Sequence, residues 1–149
     1  MKEYHGGCHC RALQITYRTA VEPEHWPLRD DGCSFCRKHG VVATSDPAGE
    51  VVLAFGGNGQ PRRYRFGTRT ADFLICGECG VFVAAVTETA AGPRAVINAR
   101  ALTGVTLDLQ KVAVVSLEGE SAEQRQARRS RNWTPVANDP ASSARHAQQ

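Results

Sequence analysis

The sequence predicts an all-β domain, a sandwich or barrel of antiparallel strands. Three observations carry that expectation. Short segments rich in β-branched and aromatic residues recur along most of the chain, Gly, Pro and Asp interrupt them at close intervals, and one segment alone carries clear helix signals. No internal repeat period is visible.

Leu13-Gln14-Ile15-Thr16-Tyr17 alternates apolar and polar residues with period two, as a half-buried strand does. Strands are expected next at Val41–Ser45, Val51–Phe55 and Arg63–Phe66, with a turn at Gly56-Gly57-Asn58-Gly59 between the last two. Asp72–Ile75, Val81–Val86, Ala95–Asn98 and Val112–Val115 complete the set. Tyr64, Phe66 and Phe73 read as core residues. The helix runs from Ala122 to about Arg131. Ser121 and Gln124 form a capping-box pattern, and arginines occupy the last turn, where the helix dipole favours cations. Pro135 stops it, and Trp133 is expected to fold back as an apolar anchor.

With 149 residues, 42% of them hydrophobic, the chain is read as one domain over residues 1–136 and a disordered tail over 137–149. Residues 1–120 hold 13 Lys/Arg and 13 Asp/Glu, so the net charge of +3 comes from the end of the chain, where Arg125, Arg128, Arg129, Arg131 and Arg145 sit. A neutral body argues against nucleic acid, which demands a concentrated basic face. The arginines of the helix read as a solvated face. No apolar run follows Met1-Lys2-Glu3, and none approaches the length of a membrane span, so the reading is a cytoplasmic protein. Nothing in the sequence sets an oligomeric state.

The chemistry lies in six cysteines arranged as three pairs: Cys8-His9-Cys10, Cys33-Ser34-Phe35-Cys36 and Cys76-Gly77-Glu78-Cys79. Close pairs suit metal ligation because one tight turn aims two sulfurs at one ion. In a reducing compartment they point to zinc, ahead of disulfides, thiol redox or an iron–sulfur cluster. Four thiolates close one tetrahedral site, so the six divide into four plus two. Cys76-x-x-Cys79-Gly80 is a knuckle in which Gly77 and Gly80 are expected to supply left-handed turns that aim backbone N–H groups at sulfur. Cys8 and Cys10, bent into position by Gly6-Gly7, oppose it. His9 should point away from the ion, and His5 and His39 are reserve ligands.

These motifs, Gly6-Gly7-Cys8-His9-Cys10, Cys33-Ser34-Phe35-Cys36-Arg37-Lys38-His39-Gly40 and Cys76-x-x-Cys79-Gly80, resemble those of the glutathione-dependent formaldehyde-activating enzyme family, which includes centromere protein V. Arg131-Asn132-Trp133-Thr134-Pro135 resembles a C-terminal signature of its small bacterial members, so the likeness spans roughly residues 5–136. It implies a β-tent of layered antiparallel sheets pinned by structural zinc on Cys8, Cys10, Cys76 and Cys79. It also implies a catalytic zinc at the middle motif, where the family carries C-x-C-x-x-C. Here Asp31 replaces the first of those cysteines. A carboxylate is a legitimate zinc ligand, but a harder and weaker one than thiolate. Asp31 as ligand and Asp31 as a solvated loop residue both remain open. Cys33, Cys36 and Asp31 are thus the candidate catalytic residues. The implied reaction joins a small-molecule thiol such as glutathione to a small aldehyde such as formaldehyde, a carbon–sulfur lyase chemistry run in reverse. Arg37 and Lys38 are placed to meet substrate carboxylates. The alternative is a non-enzymatic zinc module that binds a macromolecular partner.

Overall fold

The computed structural model describes residues 1–56 and 60–138. The chain is mostly β-sheet. In chain order the elements are β1 (Lys2–Gly7), β2 (Leu13–Thr19), β3 (Arg29–Asp30), α1 (Ser34–His39), β4 (Ala43–Thr44), β5 (Glu50–Phe55), β6 (Pro61–Tyr64) and β7 (Asp72–Cys76). β8 (Phe82–Thr89), β9 (Gly92–Asn98), β10 (Ala113–Val114), α2 (Ala122–Asn132) and β11 (Thr134–Asn138) follow. The turn expected at Gly56–Gly59 falls on residues 57–59, outside the described residues, as does the tail from residue 139 onward.

One sheet layer runs β1-β2-β5-β11, and a second gathers β6, β7, β8, β9, β4, β3 and β10. β11 links the two, pairing with β5 through Val136 and with β9 through Thr134 and Pro135. Two pairings, β11 with β5 and β10 with β3, are parallel, where antiparallel strands alone were expected. β11 also takes in Ala137 and Asn138, the first two residues of the segment that was expected to be disordered. Pro135 ends the helix as expected, yet it sits inside a strand, where a fixed φ suits extended backbone as well as a helix stop.

The alternation in β2 is real: Leu13, Ile15, Tyr17 and Thr19 are buried and the residues between them are not. Leu13, Ile15 and Tyr17 form the core between the layers with Val51, Leu53, Leu74, Ala84, Ala95 and Ile97. The second layer is covered on its other side too. Phe82, Ala85 and Val96 pack with Cys36, Val41, Ala71 and Trp133 in a separate apolar cluster under α1 and α2. β8 is therefore buried over Phe82–Thr87, as a strand with both faces covered must be.

β1 and α1 carry no sequence signal. β1 ends its layer, its outer edge met at Gly6 by a bridge to Leu102 and at the His5 carbonyl by the Thr103 amide at 2.8 Å; Arg18 on β2 ties it to β5 by ion pairs to Glu3 at 2.7 Å and to Glu50. α1 is six residues long, too short for a helical period to show. The Cys33 sulfur caps its start by accepting from the Cys36 amide at 3.3 Å, and Gly40, at φ 62°, ends it in a left-handed turn. α2 forms with both capping-box bonds in place, Ser121 Oγ accepting from the Gln124 amide and Gln124 Oε1 from the Ser121 amide.

Candidate functional site: a four-cysteine cluster and a cysteine–arginine cavity

The connection from β1 to β2 and the hairpin from β7 to β8 bring Cys8, Cys10, Cys76 and Cys79 together, with all four sulfurs within 4.8 Å of one another. Cys10 Sγ lies 3.6 Å from both Cys8 Sγ and Cys76 Sγ. A tetrahedral ion bonded to sulfur at about 2.3 Å sets its ligands about 3.8 Å apart, so the spacing fits a metal. The two pairs come from different layers, and an ion here would staple them.

The local sequence explains the aim of the sulfurs. Cys8 and Leu13 close the β1–β2 turn through a 2.9 Å backbone bond, and the Leu13 amide also donates to Cys8 Sγ at 3.2 Å. Gly7 is required because a Cβ there would lie 2.0 Å from the Leu13 carbonyl oxygen. At the knuckle, the Glu78 and Cys79 amides donate to Cys76 Sγ at 3.4 and 3.5 Å. Gly80 adopts φ 79°, as expected, whereas Gly77 does not use the left-handed region. It is small because the Gln60 carbonyl would stand 3.2 Å from a Cβ there.

The cluster holds protons unevenly. Burial acts against the charged form of Cys79, but amide donors from Cys10 and Val81 outweigh it and bring the thiol down to about 6. The Ala12 amide pulls Cys10 down, yet the neighbouring Cys76 thiol and burial push it up to about 12. Close thiols that cannot all ionise alone are what a divalent cation relieves. His5 binds Thr16 Oγ1 and faces Glu3, and His39 stacks on Phe35 with ring centroids 4.4 Å apart; neither joins the cluster.

Cys33 and Cys36 stand elsewhere, on the wall of a cavity of about 400 Å³ between α1, α2 and the second sheet layer. Asp31 lines it as well. Among the described residues, however, Asp31, Cys33 and Cys36 do not bring three ligand atoms within 4.8 Å of one another. The Asp31 carboxylate lies 3.8 Å from Arg29 Nε. The donor set for a second metal is thus two thiols, and an ion there does not fit as a closed site.

The pair is electrically split. The Cys36 side chain beside it, and the Cys36 and Phe35 amides at the helix start, lower Cys33 to about 6 despite partial burial. The Cys33 sulfur, followed by burial, pushes the Cys36 thiol far up. One sulfur favours the thiolate and its neighbour keeps its proton.

Apart from Arg37, the rest of the cavity was not legible in the sequence. Phe66, Phe73, Phe82 and Trp133 form apolar wall, while Arg37, Arg125, Arg128 and Arg129 supply cations. Of the three aromatics expected in the core, Phe73 packs against the second cluster and lines the cavity, Phe66 lines the cavity and belongs to neither cluster, and Tyr64 is 49% exposed. Lys38 does not line it. Arg131 is exposed, but Arg125, Arg128 and Arg129 are not the solvated face expected of them: the first two are half-buried and Arg129 is 6% exposed. Their spacing at i, i+3 and i+4 was the available signal, since it puts Arg125, Arg128 and Arg129 on one side of a helix.

Among the described residues, no helix is long and apolar enough to cross a membrane. No protein-family model matches this chain, and no curated protein does. It is similar to the crystal structure of a Rhodobacter sphaeroides protein, a Northeast Structural Genomics target, at 28% sequence identity and a TM-score of 0.58, over 74% of this chain and 99% of that one.

Proposed function

We propose that this protein catalyses the reversible addition of a small thiol to a small aldehyde, a carbon–sulfur lyase-type reaction, and that zinc in the Cys8–Cys10–Cys76–Cys79 cluster holds the scaffold. The observation that carries the reading is the adjacent Cys33–Cys36 pair on the wall of an apolar and arginine-lined cavity of about 400 Å³, within the size range of small-molecule sites. The resemblance of the three cysteine motifs to the glutathione-dependent formaldehyde-activating family supports it. A set of four soft thiolates with closed tetrahedral spacing selects zinc over harder ions.

The residues divide the reaction between them. The Cys33 thiolate takes the proton from the incoming thiol, whose sulfur then forms a bond to the aldehyde carbon. The carbonyl π pair moves to oxygen, and the oxyanion takes a proton from Cys36, which recovers one from Cys33. The product is an S-hydroxyalkyl adduct with no net change in protons or electrons, and the reverse sequence cleaves the carbon–sulfur bond. A thiolate and a protonated thiol side by side give the reaction a proton acceptor and a proton donor within reach of each other.

Exchange NMR of glutathione with 13C-formaldehyde tests this. The protein at micromolar concentration should speed interconversion of free and adduct forms, and Cys33→Ser should remove the acceleration while leaving the metal content intact. No acceleration by wild-type protein with one zinc per chain would favour the non-enzymatic module.

A further inference from the structure

Arg129 is a buried cation without a carboxylate partner among the described residues. Its Nη1 donates to Thr70 Oγ1 and to Gln126 Oε1, each at 2.8 Å, and its guanidinium carbon lies 4.9 Å from the centroid of the Trp133 ring. Its Nε is buried with no hydrogen-bond partner, and Nη2 makes no hydrogen bond among the described residues. Nε is closed to a ligand atom, so Nη2 is the donor left to meet a carboxylate oxygen in a charge-assisted bond. The neighbours do not neutralise it. Arg125 and Arg128 share the single carboxylate of Glu120, at 3.5 and 2.9 Å. The cavity wall carries four arginines against Asp31 and Glu118, and Asp31 faces Arg29.

An isolated buried cation is costly unless an anion meets it. Here the Nη1 hydrogen bonds and the indole ring hold the guanidinium still and leave Nη2 without a partner, on a side chain that lines the cavity of Cys33 and Cys36. We infer that Arg129 is the carboxylate anchor of this cavity, so the substrate thiol is a small organic acid whose carboxylate binds Arg129 while its sulfur reaches Cys33. The inference deepens the proposed reaction and rests on it for the sulfur end alone. The aromatic wall argues for a ligand with a carbon skeleton, which inorganic phosphate lacks.

S-methylglutathione, which has both carboxylates and cannot form an adduct, is the probe, with calorimetry as the readout. Wild-type protein should bind it at least about tenfold more tightly than its dimethyl ester, the difference a charge-assisted contact supplies. Arg129→Lys, which keeps the charge but not the position of the Nη2 donor, should weaken binding about tenfold, and Arg129→Gln should weaken it further. Absence of binding, equal affinity for acid and ester, or inorganic phosphate binding as tightly as S-methylglutathione overturns the anchor. So does unchanged affinity in a folded Arg129→Gln protein; if that variant does not fold, the ester comparison on wild-type protein decides. The two readings fail separately. Carboxylate-dependent binding without accelerated adduct exchange keeps the anchor and removes the reaction, whereas equal acceleration with glutathione and its ester removes the anchor and keeps the reaction.

Discussion

The guanidinium of Arg129 lies 4.9 Å from the ring centroid of Trp133, and the backbone amide of Trp133 donates to the Arg129 carbonyl at 2.9 Å. This one relationship closes α2, fixes a buried cation against an aromatic ring and forms part of the cavity wall. Trp133 is therefore both the last stop of the helix and a plug in the apolar cluster with Phe82, Ala85 and Val96.

Removing that plug should be costly. Trp133→Ala is expected to destabilise the fold by about 3–5 kcal/mol, through lost burial and the cavity left behind. Trp133→Phe, which keeps an aromatic face for Arg129, should cost less. Chemical denaturation of the three proteins checks the order, and a Trp133→Ala midpoint equal to wild type would show that the ring contributes little.

The four-cysteine cluster predicts one firmly held zinc per chain. Structural zinc supplies folding free energy directly, so Cys79→Ser should yield metal-free, poorly folded protein. Elemental analysis with a thermal melt makes the test, and a Cys79→Ser protein with full zinc content and an unchanged melting temperature would falsify the assignment.

Cys36 should behave differently. It belongs to the cavity wall rather than the staple, so Cys36→Ser should leave the metal count at the wild-type value and shift the melting temperature by a few degrees, about the effect of 1 kcal/mol in a domain of this size. The same variant should lose accelerated adduct exchange. Global unfolding of Cys36→Ser would mean that the six cysteines do not divide into four and two.

The split between Cys33 and Cys36 gives a pH signature. Cys33 is held down to about 6, so it is mostly thiolate at pH 7 and is protonated as pH falls through that value. Its alkylation rate should stay near maximal down to pH 7 and fall tenfold per unit below pH 6. Cys36→Ala takes away the neighbouring side chain that lowers Cys33, so the midpoint should move up. Mass spectrometry of the modified peptide after timed iodoacetamide labelling measures both, and a wild-type midpoint at the ordinary thiol value would rule the split out.

The sequence by itself determined the β-rich class, most of the long strands and the capped helix, because these rest on local patterns: period-two alternation in Leu13–Tyr17, and Ser121 with Gln124. It also named the four cysteines of the cluster, since a short turn with cysteines at fixed spacing aims each pair of sulfurs, while the meeting of the two pairs is the work of the two layers that carry them. The tertiary structure alone decided the rest. β1 and α1 exist because neighbours hold them: Lys2–Gly7 has no alternation to read, and α1 depends on a cap from Cys33. β11 became a strand because two layers each offered it an edge, which local propensity does not register. Asp31 lies opposite Arg29 rather than in a three-ligand cluster with Cys33 and Cys36, a matter of which direction a loop faces. Arg129 shows the difference most clearly. In the sequence it is one arginine in a polar helix, and only the packing of α2 against the second layer buries its charge beside Trp133 and sets it on the wall of the same cavity as Cys33 and Cys36.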